Sequence, residues 1–231
     1  MRDVIIACDF SSREELFNFL KPFEGYNPYL KVGMELFYAE GPDMVKELKE
    51  KGFKIFLDLK LYDIPNTVKK AMVNLGKLGV DITNVHASGG ITMMKAAKDG
   101  LLEGAKMAGY EAPLLIAVTQ LTSTDQAMLE RELCIHKKLS DVVFKYAENA
   151  KSAGLDGVVC SPFEAASVEE IGLVSVTPGI RLIGDDVGDQ KRVTTPKIAK
   201  ELGSSFIVVG RSITAARDPL AAYLECKAQF N

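Results

Sequence analysis

Short runs of β-branched and aliphatic residues alternate with longer helix-patterned stretches along the whole chain, and the alternation repeats about eight times. VIIACDF (4–10) precedes SREELFNFLKPF, YLKVGM (29–34) precedes GPDMVKELKEKG, and KIFLDLK (54–60) precedes IPNTVKKAMVNLGKLG. DITNVHAS (81–88) then leads to GITMMKAAKDGLLEGAKMAG, and PLLIAVTQL (113–121) leads through a longer link to LSDVVFKYAENAKSAG. GVVCSP with EAASVEEIG, LVSVTPG with TPKIAKELG, and SFIVVGR with DPLAAYLECKAQF complete the series. Successive parallel strands need a crossover of about a dozen residues or more, usually a helix, so this rhythm demands a parallel sheet wrapped by helices. An open doubly wound sheet satisfies the same alternation, but an even run of eight favours closure into a barrel. With 231 residues and 47% hydrophobic content, the chain suffices for one large core. Residues 1–231 are therefore read as a single α/β domain, a (β/α)8 TIM barrel.

The punctuation agrees with these breaks. Ser11 or Ser12 can cap the first helix, Asp218 precedes Pro219 at the start of the last, and Gly79, Gly109, Gly154 and Gly203 stand where helices should stop. A net charge of −3, from 28 basic and 31 acidic residues, offers no broad attraction for nucleic acid or an anionic membrane. Cys8, Cys134, Cys160 and Cys226 lack the paired spacing of a zinc site, and neither a metal nor disulfides are expected. Without an apolar stretch long enough for a leader or a span, the expected location is the cytoplasm.

Barrels carry their active sites at the C-terminal ends of the strands, and here those ends are crowded with polar residues. Asp9 closes the first strand, Lys31 lies in the second, Asp58 and Lys60 close the third, and His86 closes the fourth; Ser161, Pro178, Gly210 and Arg211 stand near later ends. The third segment, FLDLKLYDIPNT (56–67), is the sharpest case. Asp58 and Lys60 are two apart and share one side of a pleated strand, while Phe56, Leu57, Leu59 and Leu61 ask for burial. A buried ion pair serving only the fold is the plain alternative, although such pairs seldom stabilise more than apolar residues would. An alternating Lys31, Asp58, Lys60, Asp63 network would instead keep each ammonium charged and ready to stabilise negative charge or donate a proton to a carbanion. Decarboxylation fits both roles.

The last strand supplies an anion site. VVGRSIT offers the Gly210 and Arg211 backbone N–H groups and the Arg211 guanidinium, and the preceding loop RLIGDDVGDQKRVTT carries Arg181 and Gln190. Its glycines lead us to expect a lid over residues 181–195 that orders on a phosphate. A phosphorylated substrate clamped across the barrel mouth is the combined reading.

Taken together, ACDF, LKVGMELF, FLDLKLYDIPNTV, VTQLTS, VTPGIR, VGDQ and VVGR closely resemble the orotidine 5′-monophosphate decarboxylase family, in its bacterial form, along essentially the whole chain. The resemblance implies a cofactor-free and metal-free replacement of the orotate carboxylate by a proton, giving UMP in pyrimidine-nucleotide synthesis. It implies Lys60 as proton donor, Asp58 against the departing carboxylate, Lys31 and Asp9 toward the ribose, and Thr122 toward the pyrimidine. Arg181, Gln190, Gly210 and Arg211 would hold the phosphate. Asp63, Ile64 and Thr67 complete the implied substrate-binding set, with Asp63 and Thr67 reaching the neighbouring subunit of a homodimer.

Two other readings stay open on the residues alone. A related magnesium-dependent sugar-phosphate decarboxylase or aldolase shares the D-x-K-x-x-D series, but carries an acid on the second strand where this chain has Lys31. A non-catalytic phosphate-binding barrel would not require the lysine–carboxylate series at all.

Overall fold

The structure, a computed structural model, describes residues 2–182, 184 and 193–231. Eight strands, β1 (Asp3–Cys8), β2 (Tyr29–Gly33), β3 (Lys54–Leu61), β4 (Ile82–His86), β5 (Leu114–Val118), β6 (Gly157–Val159), β7 (Val174–Ile180) and β8 (Phe206–Val209), pair in sequence order. Every pairing is parallel, and β8 closes back onto β1. The expected barrel is the observed one. Around it run α1 (Arg13–Leu20), α2 (Met34–Glu50), α3 (Pro65–Gly76), α4 (Gly90–Ala108), α5 (Gln126–Arg131), α6 (Leu139–Ser152), α7 (Ala165–Glu170), α8 (Pro196–Glu201), α9 (Arg211–Thr214) and α10 (Pro219–Phe230).

Strand alternation sorts the core into two parts. Val4, Ile6, Leu30, Val32, Ile55 and Leu57 point outward and pack with the helices, in one continuous cluster. Their neighbours Ile5, Tyr29, Phe56, Ile82, Ile116, Val176 and Phe206 point inward and fill the barrel's lower interior. Tyr29 and Phe206 meet edge to face there, with centroids 6.0 Å apart. Two residues further along each strand, the inward positions become Asp9 beyond Ala7, Lys31, Asp58 and Asn84. The apolar plug therefore forms the floor beneath a charged layer.

Local chemistry accounts for the element ends. Ser12 accepts the Glu15 N–H at the start of α1, while Ser11 is engaged by the Glu15 carboxylate, so Ser12 is the cap. Asp218 accepts the Ala221 N–H at the start of α10. Gly109 ends α4 with φ of 75°, a left-handed turn that costs glycine little. Strands β1 and β5 end two and three residues before the expected segments do, and one helix boundary differs more. Helix α2 begins at Met34 rather than at Gly41, and Gly41, with φ of 73°, kinks it before Pro42 restarts it. The helical pattern of MELFYAE was hidden by the glycine–proline pair that follows. Among the described residues, no helix is long and apolar enough to cross a membrane.

Candidate active site

A cavity of about 670 Å³ opens at the C-terminal ends of the strands. Its lining includes Asp9, Lys31, Asp58, Lys60, Thr122, Arg181, Gly210 and Arg211, eight of the residues singled out from the sequence. Distant segments thus converge on one space.

On one side the charges form a chain. Lys31 Nζ donates to Asp9 Oδ1 at 2.7 Å and stands 3.6 Å from Asp58 Oδ2, and Lys60 Nζ stands 2.8 Å from Asp58 Oδ1. The Asp58 and Lys31 side chains are 12% and 11% exposed, so this order persists away from bulk water. Gly33 makes room for it: a Cβ there would stand 3.1 Å from both Asp9 Oδ1 and Lys31 Nζ. Burial acts most strongly against the Asp58 charge, yet Lys31 and Lys60, helped by hydrogen bonds from Lys60 and Asn84, hold its carboxyl below the ordinary range. Burial likewise opposes the Lys31 charge, and Asp58 with Asp9 overcomes it, raising the ammonium above its ordinary value. Both groups are held ionised at neutral pH.

The backbone at Lys60 is unusual. Its φ is +52°, a left-handed conformation uncommon outside glycine, asparagine and aspartate. It falls within an irregularity of β3, where Leu57 pairs with Thr83 but Leu61 pairs with Val85, so that three β3 residues stand opposite the single β4 residue Asn84. The bulge turns Lys60 Nζ back onto Asp58.

From the ends of β7 and β8, Arg181 and Arg211 bring positive charge to the same cavity. Arg181 follows β7 directly, anchored by backbone bonds between its N–H and the Thr194 carbonyl and between the Thr194 N–H and the Gly179 carbonyl. Its Nη1 also donates to the Ile180 carbonyl at 2.9 Å. Arg211 opens α9, the short extra helix after β8. Gln190 and residues 185–192, the centre of the expected lid, lie outside the described residues.

Asp63, Ile64 and Thr67 are exposed and absent from the lining of this cavity. Asp63 Oδ1 accepts the Ile64 N–H at 2.6 Å, and Tyr62 and Ile64 are 63% and 66% exposed. The three-residue step from Lys60 carries Asp63 away from the cavity that Lys60 enters. His86 likewise remains outside the lining; its Nδ1 lies 2.6 Å from Ser88 Oγ, and burial followed by Lys60 lowers its pKa. Ser161 is occupied by a capping box with Glu164.

Two polar residues escaped the sequence reading. Gln120 lines the cavity and Asn84 is fully buried beneath it. The alternation Ile116, Val118, Gln120 was the available signal for the first, and Ile82, Asn84, His86 for the second.

The chain is similar to known proteins over nearly its whole length. A Bacillus cereus (strain Q1) protein named orotidine 5′-phosphate decarboxylase is 58% identical over 232 residues, spanning 99% of this chain and 97% of that one. The crystal structure of orotidine 5′-phosphate decarboxylase from Lactobacillus acidophilus is similar with a TM-score of 0.90 at 46% identity, covering 100% of each chain. An uncharacterized conserved protein from Geobacillus kaustophilus gives a TM-score of 0.87 at 48% identity over 99% of this chain and 100% of its own. The family model described as "Orotidine 5'-phosphate decarboxylase / HUMPS family" matches residues 2–226, and the chain belongs to that family.

Proposed function

We propose that the protein decarboxylates orotidine 5′-monophosphate to UMP in pyrimidine biosynthesis, without a metal, using Lys60 as proton donor. The carrying observation is the Asp9–Lys31–Asp58–Lys60 chain in a cavity that Arg181 and Arg211 also line.

In the reaction the bond between the ring carbon and its carboxylate breaks, the electron pair stays on the carbon, and CO2 leaves. The ring carbon then takes a proton from the Lys60 ammonium, and solvent later reprotonates the amine. Lys60 stabilises the developing charge before it gives up the proton, and an ammonium held in place by Asp58 needs little reorganisation to do so. Asp58 lies against the departing carboxylate and keeps Lys60 aimed. Lys31 and Asp9 bond the ribose, Thr122 contacts the pyrimidine, and Arg181, Gln190, Gly210 and Arg211 take the phosphate.

A magnesium-dependent reaction fits the donor set less well. Asp9 and Asp58 already face the Lys31 ammonium at 2.7 and 3.6 Å, and that cation repels a divalent ion at the same place. A homodimer belongs to the same proposal: exposed Asp63 and Thr67 reach the partner's cavity, which a two-fold interface permits, and Ile64 between them completes the substrate-binding set. Its setting is the cytoplasm. The test is loss of orotidine 5′-monophosphate absorbance with CO2 release in the presence of a chelator. Turnover that vanishes with the chelator and returns with magnesium would overturn the metal-free reading.

A further inference from the structure

Asn84 stands where β3 and β4 lose their regular pairing, and it is fully buried. Its two amide ends do different things. Its Oδ1 accepts the Lys60 backbone N–H at 2.8 Å, while its Nδ2 donates to Asp58 Oδ1 at 2.6 Å. That orientation is dictated by chemistry, because a backbone N–H can only donate and an ionised carboxylate can only accept. The same Asp58 oxygen receives the Lys60 ammonium, 2.8 Å away. One side chain therefore closes a ring through the Lys60 backbone, the Lys60 ammonium and the Asp58 carboxylate.

We propose that Asn84 is a positioning residue for proton delivery, holding Lys60 in its left-handed backbone conformation and Asp58 in register so that Nζ meets the reacting carbon. The inference rests on the function proposed above and adds a residue to it that does not line the cavity. A non-glycine residue in this backbone region is strained and persists only where its surroundings hold it. The bulge removes the ladder partner of the Lys60 N–H, and the Asn84 carbonyl oxygen replaces it. Without that bond the strand can relax toward regular pairing, which swings the ammonium off target.

The isosteric change Asn84→Asp gives a signature that a purely structural residue lacks. A protonated carboxyl reproduces the amide, its O–H donating to Asp58 and its second oxygen accepting the Lys60 N–H. An ionised one places two carboxylates face to face. The charged groups facing position 84 are Asp58 and Lys60 on β3, with Lys31 on β2 behind Asp58; Ile116, its β5 neighbour, is uncharged, and His86 follows two residues later on β4.

The experiment measures kcat and KM for orotidine 5′-monophosphate from pH 5 to 9 in the parent, Asn84→Asp and Asn84→Ala, with UMP affinity by calorimetry. Asn84→Ala is expected to lower kcat on the order of 100-fold, the cost of a misplacement near 1 Å, with KM and UMP affinity within about threefold. Asn84→Asp is expected to approach the parent at the acid end and to lose kcat about tenfold per pH unit once the new carboxyl ionises. Either variant retaining kcat within about threefold of the parent across the range would overturn the proposal, as would a pH-independent loss in Asn84→Asp. A crystal structure of Asn84→Ala gives a readout independent of turnover: Lys60 still at φ near +52° with Nζ still 2.8 Å from Asp58 would also overturn it. Absent turnover in the parent counts against the decarboxylase reading alone, and the crystal structure still decides the role of Asn84.

Discussion

Replacing Asp58 by Asn removes one carboxylate from a set that otherwise balances two against two. Lys31 keeps Asp9 at 2.7 Å, but Lys60 loses the partner at 2.8 Å, and a side chain only 12% exposed no longer offsets the buried Lys31 and partly buried Lys60 ammoniums. Breaking a buried pair by removing one member typically costs about 3–5 kcal/mol. The lower end applies here, about 3 kcal/mol, because Lys60 is 28% exposed and can recover some hydration and Lys31 retains Asp9. At about 2–4 °C per kcal/mol for a domain of this size, Tm should fall by about 6–12 °C at pH 7. The difference should also depend on pH. The folded Asp58 carboxyl sits below its ordinary value of 3.8, so its contribution is fully present above that value and is lost as pH falls through the folded pKa. Thermal melts of parent and variant should therefore converge in acid. A Tm at pH 7 within about 2 °C of the parent, or a gap that stays constant down to pH 3, would show that Asp58 does not offset the two ammoniums in the folded protein.

Mixing Lys60→Ala with Asp63→Ala subunits should restore about a quarter of parental activity, since half the randomly assembled dimers carry one site with both residues intact; subunit exchange without recovered turnover would sink the shared-site proposal. Gly104→Ala should destabilise the α3–α4 contact by about 1–3 kcal/mol with turnover at 25 °C unchanged, because the added Cβ would come 2.0 Å from the Val73 carbonyl oxygen; a melt showing an unchanged Tm would contradict this. Arg211→Ala should weaken UMP binding about 10–100-fold by calorimetry through loss of a charged hydrogen bond, and parental affinity would remove Arg211 from the phosphate site.

The barrel was legible because each unit must switch from strand to helix periodicity and back, and because inward and outward residues alternate through VIIAC and KIFLDL. Lys31, Asp58 and Lys60 were equally legible as charges inside apolar runs. Parity alone did not reveal the bulge between Leu57 and Leu61, since strand periodicity assumes regular pairing and the left-handed Lys60 depends on a residue some two dozen positions away. Asn84 was hidden for the same reason. In DITNVHAS it reads as an ordinary polar residue, and its meaning arises only when β4 is laid against β3. The start of α2 was obscured differently, by Gly41 and Pro42, which interrupt a helix without ending it.

Whether Lys60 supplies the proton from a position fixed by Asp58 is decided by comparing Lys60→Ala with the parent for both turnover and product binding. In the variant, kcat for orotidine 5′-monophosphate should fall by at least about 1000-fold, because charge stabilisation and proton donation are lost together, while UMP affinity should change less than about tenfold. A folded Lys60→Ala protein that decarboxylates at a rate near the parent's, or one whose lost turnover is matched by an equal loss of UMP affinity, would contradict that role.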